Sequence, residues 1–126
     1  MTRKHSDATY VTAYAVKALI DRNPLGRKSL AALTRGIHIG RNQLQEAFKE
    51  ITGRTFRRYR LEKRMEAAGE LLISCNMRVY ETAKKCGYKR TPNNFSRDFK
   101  LILGLTPEEW LQLHINQYNS NRQSTL

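Results

Sequence analysis

Apolar residues recur at positions 44, 48 and 51 and again at 95, 99 and 102. A spacing of i, i+4 and i+7 lines one face of an α-helix. The polar skeleton around them also returns, at a constant offset of 51 residues: Lys49 with Lys100, Gly53 with Gly104, Thr55 with Thr106. Each copy closes on glycine, the residue that most easily takes the left-handed backbone of a helix C-terminus. Residues 44–55 and 95–106 are therefore predicted to build the same amphipathic helix twice.

The rest of the chain reads as helix punctuation, with no clean period-2 run and no Asn-Gly or Asp-Gly hairpin turn. A first helix is predicted over about 10–22, with Thr9 as N-cap and Val11, Tyr14, Ala15, Ala18 and Leu19 as its apolar stripe. Asn23-Pro24-Leu25-Gly26 ends it. Ser29 caps a short helix carrying Leu30, Leu33 and Ile37. After a turn at His38-Ile39-Gly40, the first repeated helix covers 41–52, and Thr55 caps a long helix over about 56–74 that carries Phe56, Tyr59, Met65, Ala68, Leu71 and Leu72. The second half replays the pattern: a short helix with Val79, Thr82, Ala83 and Cys86, a turn at Gly87-Tyr88, and a helix started by Thr91 as N-cap with Pro92 behind it. Thr106 and Glu109 form a capping box around Pro107 at the start of the last helix. The Asn-, Gln- and Ser-rich tail from Asn116 reads as frayed.

The expectation is an all-α, homeodomain-like fold of seven helices. A first helix-turn-helix subdomain spans 9–53, a linker helix 54–75, a second subdomain 76–116 and a flexible tail 117–126. The plainer alternative is a helical bundle with a duplicated hairpin. Short helix, tight turn and second helix, made twice, is instead the layout of paired helix-turn-helix motifs.

Charge then points to a partner. The 126 residues carry a formal net charge of +12 with 40% apolar content, too apolar for a disordered chain. Basic residues cluster at Arg54, Arg57, Arg58, Arg60, Lys63 and Arg64, with Glu62 the only acid over 54–64. A second cluster holds Arg78, Lys84, Lys85, Lys89, Arg90, Arg97 and Lys100. A pI of about 10.2 fits a polyanion, although a charge run is often only a solvated face. Cys75 and Cys86 match no zinc spacing, and His5, His38 and His114 lie far apart, so no metal or other cofactor is expected. No apolar run approaches a membrane span and no signal-peptide segment follows the basic start, which makes a cytoplasmic, nucleoid-associated protein the expectation.

The second unit carries a specific resemblance. Val79-Tyr80-Glu81-Thr82-Ala83, Gly87-Tyr88, Phe95-Ser96-Arg97-Asp98-Phe99-Lys100 and Gly104-Leu105-Thr106-Pro107 resemble the signature region of AraC/XylS-type transcription regulators. The likeness covers about residues 9–114, with Arg64 and Ala68 at positions where the family's linker helix has Arg and Ala. A chain without a sensor domain resembles the stand-alone MarA/SoxS subgroup. Three departures stand out. His38 occupies the first turn where the family has Gly, and would be strained if the backbone there were left-handed. Thr34 replaces a small Ala, and one residue is inserted between Gly87 and Phe95. The resemblance implies two readers entering successive major grooves, binding as a monomer to an asymmetric bipartite site, and activation through RNA polymerase.

Helical geometry selects the reading faces. With Leu44, Ala47, Phe48 and Ile51 inward, Arg41, Asn42, Gln45, Glu46 and Lys49 face out. Arg41 suits guanine, Asn42 or Gln45 adenine, and Glu46 the amino group of cytosine, unless Glu46 is only a helix-surface partner of Lys49 or of the neighbours of Glu50. In the second copy Phe95, Phe99 and Ile102 are core and Asn93, Asn94, Ser96, Arg97 and Lys100 face out, with Arg97 the leading base contact. Phosphate contacts are expected from Ser29, Lys49, Arg54, Thr55, Arg57, Lys89, Arg90, Thr91 and Lys100, Thr55 and Thr91 doubling as helix caps. Arg58, Arg60 and Arg64 are assigned instead to ion pairs with Glu62, Glu66 and Glu70. Phe48, Phe99, Tyr59 and Trp110 are assigned to the core. The function read from this is sequence-specific recognition of double-stranded DNA by a transcription regulator. The alternatives are a non-specific architectural binder, the excised DNA-binding domain of a larger ligand-responsive regulator, and an enzyme, for which the scattered acids are a poor basis.

Overall fold

The computed structural model describes residues 4–89 and 92–124. Among the described residues there are seven helices and no strand: α1 Asp7–Arg22, α2 Leu30–Leu33, α3 Arg41–Thr52, α4 Phe56–Ser74, α5 Val79–Lys85, α6 Pro92–Leu103 and α7 Pro107–Ser124. The chain divides into two compact units, residues 1–63 and 64–126, and α4 supplies residues to each.

In the first unit α1 packs on α3. Phe48 lies at the centre, edge-on to Phe56 and Tyr59 with ring centroids 5.7 and 5.4 Å apart. Tyr10, Ala13, Val16, Ile20, Leu30, Leu44 and Ala47 close the core around it. Full burial of side chains this size is worth roughly 1.5–3 kcal/mol each, which is the force that turns the apolar face of α3 inward. Tyr59 adds a polar tie by donating its hydroxyl to Asp21, whose other oxygen accepts from Lys17 at 2.9 Å. Burial pushes the Asp21 carboxyl up, but the Tyr59 and Lys17 bonds outweigh it and hold the group below its usual range.

The expected stripe of α1 is on the wrong face. Val11 and Tyr14 are exposed, as are Ala15, Ala18 and Leu19. The helix carries a second apolar series, Tyr10, Ala13, Val16 and Ile20, and this one is buried. It packs into the core with Leu44, Ala47 and Phe48 and brings Tyr10 to α3, where the hydroxyl donates to Glu50 at 2.5 Å. Thr9 and Thr12 share the buried face at little cost, since their hydroxyls meet Ser6 and the Ala8 carbonyl, each at 2.8 Å. The N-cap is accordingly Ser6, whose side chain accepts from the Thr9 N–H, and not Thr9. Ile37 falls outside the four-residue α2 and is exposed.

The second unit repeats the construction with other side chains. Met65, Ala68, Leu72, Ala83, Cys86, Phe95 and Phe99 are buried. Trp110 of α7 sits edge-on to Phe99 at 5.8 Å and donates its indole N–H to the Gly69 carbonyl at 3.2 Å. A side chain at Gly69 would begin 3.0 Å from that indole, so the close approach of α7 depends on glycine there. The capping box is present: Thr106 N–H donates to Glu109 at 3.0 Å and Glu109 N–H to the Thr106 hydroxyl at 3.2 Å. Residues 117–124, read from composition as a flexible tail, continue α7 as helix. Nothing after Pro107 breaks the run, because Asn, Gln and Ser lower helix propensity without the steric veto of Pro.

Candidate nucleic-acid interface

Both units build a short helix, a tight turn and a longer helix that turns one face outward. In the first, Ser29 caps α2, accepting from the Ala32 N–H at 3.1 Å. The turn takes its left-handed residue at Gly36 (φ 86°). His38 is not left-handed, since Asn76 is the only non-glycine with positive φ among the described residues, so the strain expected at His38 does not arise. Gly36 and Gly87 (φ 95°) are themselves 51 residues apart and thus belong to the repeat. The distance from this glycine to the first core residue of the longer helix, Leu44 or Phe95, is the same in both units, so within this chain neither turn is longer. Thr34 fits the turn by donating its hydroxyl to the Leu30 carbonyl at 2.9 Å.

Helix α3 starts at Gly40, which offers no side-chain cap, leaving the first N–H groups of α3 open to an anion. Arg41, Asn42, Gln45, Glu46 and Lys49 are all exposed, while Leu44, Ala47 and Phe48 are buried. The five exposed side chains line a groove of about 510 Å³ together with Thr55, Phe56 and Arg57 at the start of α4. The base-reading candidates of this unit and three of its phosphate candidates, Lys49, Thr55 and Arg57, therefore share one concavity. Thr55 accepts from the Arg58 N–H at 3.1 Å, the capping role expected of it.

Arg54 stands differently. Its Nε donates to Glu62 at 2.9 Å, and Arg58 reaches the same oxygen at 3.2 Å. Burial pushes the Glu62 carboxyl up, and the two guanidinium groups more than offset that, holding it below the usual range. Arg54 thus enters any phosphate contact from an existing pair. Arg58 pairs with Glu62 as assigned, whereas Arg60 bonds the backbone carbonyls of Lys28 and Gly26, tying α4 to the loop before α2. The Glu46 alternative also changes: its partners are Lys4 and His5, at 3.9 and 3.2 Å from Oε2, not its neighbours on α3.

In the second unit α6 begins at Pro92, where its placement in the sequence predicts a helix start. Phe95 and Phe99 are fully buried, Ser96 is half-buried, and Asn93, Asn94, Arg97 and Lys100 are exposed. Tyr88 donates its hydroxyl to Asp98 at 2.5 Å and stacks edge-on against Phe95 at 5.5 Å. Burial, with the Asp98 carboxylate next, pushes the Tyr88 hydroxyl far above its ordinary range, so it remains a neutral donor that holds the turn to α6. Lys89 is exposed in that turn. Arg90 and Thr91, expected at phosphate, lie outside the described residues.

Sequence reasoning had no signal for Lys4 and His5, which stand about 40 positions from Glu46 and belong to no repeat. Among the described residues no group of His, Cys, Asp and Glu could hold a metal ion, and no helix is long and apolar enough to cross a membrane. Cys75 and Cys86 are free thiols, the first exposed and the second buried.

Residues 33–113 match the family model described as a helix-turn-helix domain. Over 84 residues the chain is 33% identical to an uncharacterized HTH-type transcriptional regulator, YtdP of Bacillus subtilis, covering 67% of this chain and 11% of that protein. The curated relatives it matches are much longer, and the chain spans 11% to 25% of their length. Among solved structures, the C-terminal domain of AraT, a response regulator from Geobacillus stearothermophilus, superposes with a TM-score of 0.71 at 23% identity, over 88% of each chain. The DNA-binding domain of AdpA, a global transcriptional factor crystallised with a target DNA, gives 0.72 at 21% identity, over 83% of this chain and 94% of that one. At these identities the superpositions establish a shared fold.

Proposed function

The chain belongs to the AraC type of the helix-turn-helix family, whose members are DNA-binding transcription regulators and not enzymes, and we propose that it reads a specific double-stranded site with two helices, α3 and α6. The observation that carries this is the twofold presentation of one exposed polar face. Arg41, Asn42, Gln45, Glu46 and Lys49 on α3 and Asn93, Asn94, Arg97 and Lys100 on α6 are solvent-facing over fully packed aromatic cores. Side chains near a reading helix N-terminus meet base edges, and those a turn later meet phosphate. Arg41 and Arg97 are therefore assigned to guanine, Asn42, Gln45, Asn93 and Asn94 to adenine, and Ser96 to a supporting base contact. Lys49, Arg54, Thr55, Arg57, Lys89 and Lys100, with Ser29, Arg90 and Thr91, are assigned to the backbone.

Two readers on one chain call for an asymmetric site with halves about 10 bp apart, recognised by a monomer. Action at the nucleoid through contact with RNA polymerase is part of the same reading and is supported by family membership alone. Selection from random duplex DNA by the purified chain tests the proposal. Recovery of a two-part motif supports it; a single short motif leaves one reader without a role. Binding that selects no motif and vanishes as salt rises would mean purely electrostatic attachment, because each phosphate contact contributes about −0.9 to the slope of log affinity against log salt.

A further inference from the structure

His5 precedes α1, yet its side chain is only 7% exposed. It lies against α3. Nε2 is 3.2 Å from Glu46 Oε2 and 3.9 Å from Glu50 Oε1, and the ring stands edge-on to Tyr10 at 5.8 Å. Glu50 is itself fixed, because it accepts the Tyr10 hydroxyl. Lys4 adds a second cation 3.9 Å from the same Glu46 oxygen, at a site 72% exposed. Glu46, 54% exposed, thus meets the segment before α1 through Oε2 and itself lines the groove with Arg41, Asn42 and Gln45.

An acid on a DNA-reading face carries a penalty near phosphates and a freely rotating side chain to order. Engagement of Oε2 addresses both. Lys4 offsets the negative charge, and the buried ring beside Oε2 narrows the rotamers that Glu46 can sample. The ring meets Oε2 by proximity and not through an aligned hydrogen bond, since Nε2 is buried without a hydrogen-bond partner. What remains is a single oriented acceptor, the complement of the cytosine amino group in the major groove.

We propose that His5 is a positioning residue that orients Glu46, and thereby sets the base preference of the first reader at one position; this rests on α3 being a reading helix. Site selection with the wild-type chain, His5→Ala, His5→Gln, Glu46→Gln and the double variant His5→Ala/Glu46→Gln tests it. Glu46→Gln should weaken the preference for cytosine at one position of one half-site, by roughly three- to tenfold, the worth of one hydrogen bond. His5→Ala should lose preference at that same position with the other half-site unchanged. His5→Gln, which keeps a polar nitrogen that can stand beside Oε2, should restore it at least partly, and His5→Ala should add nothing in the Glu46→Gln background. Uniform loss of affinity in His5→Ala, with preference intact, would reduce His5 to a structural role and overturn the proposal while leaving the reader in place. A Glu46→Gln variant with unchanged preference would instead remove base reading from Glu46, and the role of His5 with it. Thermal melts of each variant separate both outcomes from misfolding.

Discussion

Helices α3 and α6 have the same length, inward residues at equivalent positions and the same glycine stop, and each gives one acid to a tyrosine hydroxyl, but only α3 keeps a further acid on its outer face. Helix α6 turns Asp98 back onto the Tyr88 hydroxyl, so its outer face presents amides, Arg97 and Lys100. Helix α3 leaves Glu46 on its outer face and engages it from the segment before α1. The junctions that follow differ as well. The step into α4 is braced by Arg54 and Arg58 on Glu62, and the step into α7 by the Thr106–Glu109 capping box. A duplicated backbone has thus kept its packing code and exchanged its surface chemistry. This is the division expected where the core dictates the fold and the exposed face selects the ligand.

The largest test bears on the shared part. Phe48→Ala and Phe99→Ala each empty the centre of one unit, and each should cost about 3–5 kcal/mol in chemical denaturation. Strongly unequal losses would break the equivalence of the two cores. Next is the part that differs: Arg97→Ala should lose about 1–3 kcal/mol of discrimination at one base pair, while Lys100→Ala weakens binding to all sequences and lowers the salt slope by about 0.9. Equal losses on specific and random DNA for Arg97→Ala would remove its reading role. Gly53→Ala and Gly104→Ala place a side chain at φ 72° and 83° with nothing within 4 Å of it, so the cost is backbone strain alone, about 1–2 kcal/mol in each unit by thermal melt.

The smallest effect separates the two junctions by pH and salt. The Glu62 and Glu109 carboxyls both sit below their ordinary range, Glu109 because it accepts from the backbone N–H and the hydroxyl of Thr106. A depressed carboxyl contributes stability above its unfolded value, near 4.3, and loses it as pH falls through the lower folded value. Glu62→Gln and Glu109→Gln should therefore each flatten the acid limb of a stability profile. Added salt should reduce the Glu62 effect more, since its partners are exposed charges.

Most of the fold was legible because its signals are local. Glycine stops, the Thr-Pro-x-Glu start of α7 and the spacing of Leu44, Phe48, Phe95 and Phe99 need only a few neighbouring residues. The face of α1 was not legible, because Val11/Tyr14/Leu19 and Tyr10/Val16/Ile20 both satisfy a helical period. Contacts distant in sequence decide between them, the packing around Phe48 and the bond from Tyr10 to Glu50, 40 residues away. The left-handed position of the first turn was legible in principle: extending the 51-residue offset backward pairs Gly36 with Gly87 and clears His38. The exposure of the reading faces followed from the inward residues alone. The partners of Glu46 and Arg60 did not, since they are a chain segment and two backbone carbonyls with no mark in composition or period.

The unburied stripe of α1 has a consequence for how the molecule behaves in bulk. Val11, Tyr14 and Leu19 are apolar side chains open to solvent on a chain of charge +12, and like net charges repel. That repulsion reaches about 10 Å at 0.1 M salt and about 3 Å at 1 M, whereas attraction between apolar surfaces is not screened. Ionic strength therefore acts with opposite sign on the two surfaces, releasing polyanions from the basic face while lowering the colloidal barrier between stripes on neighbouring molecules. A solution stripped of nucleic acid by high salt is the one in which the protein is least protected from itself.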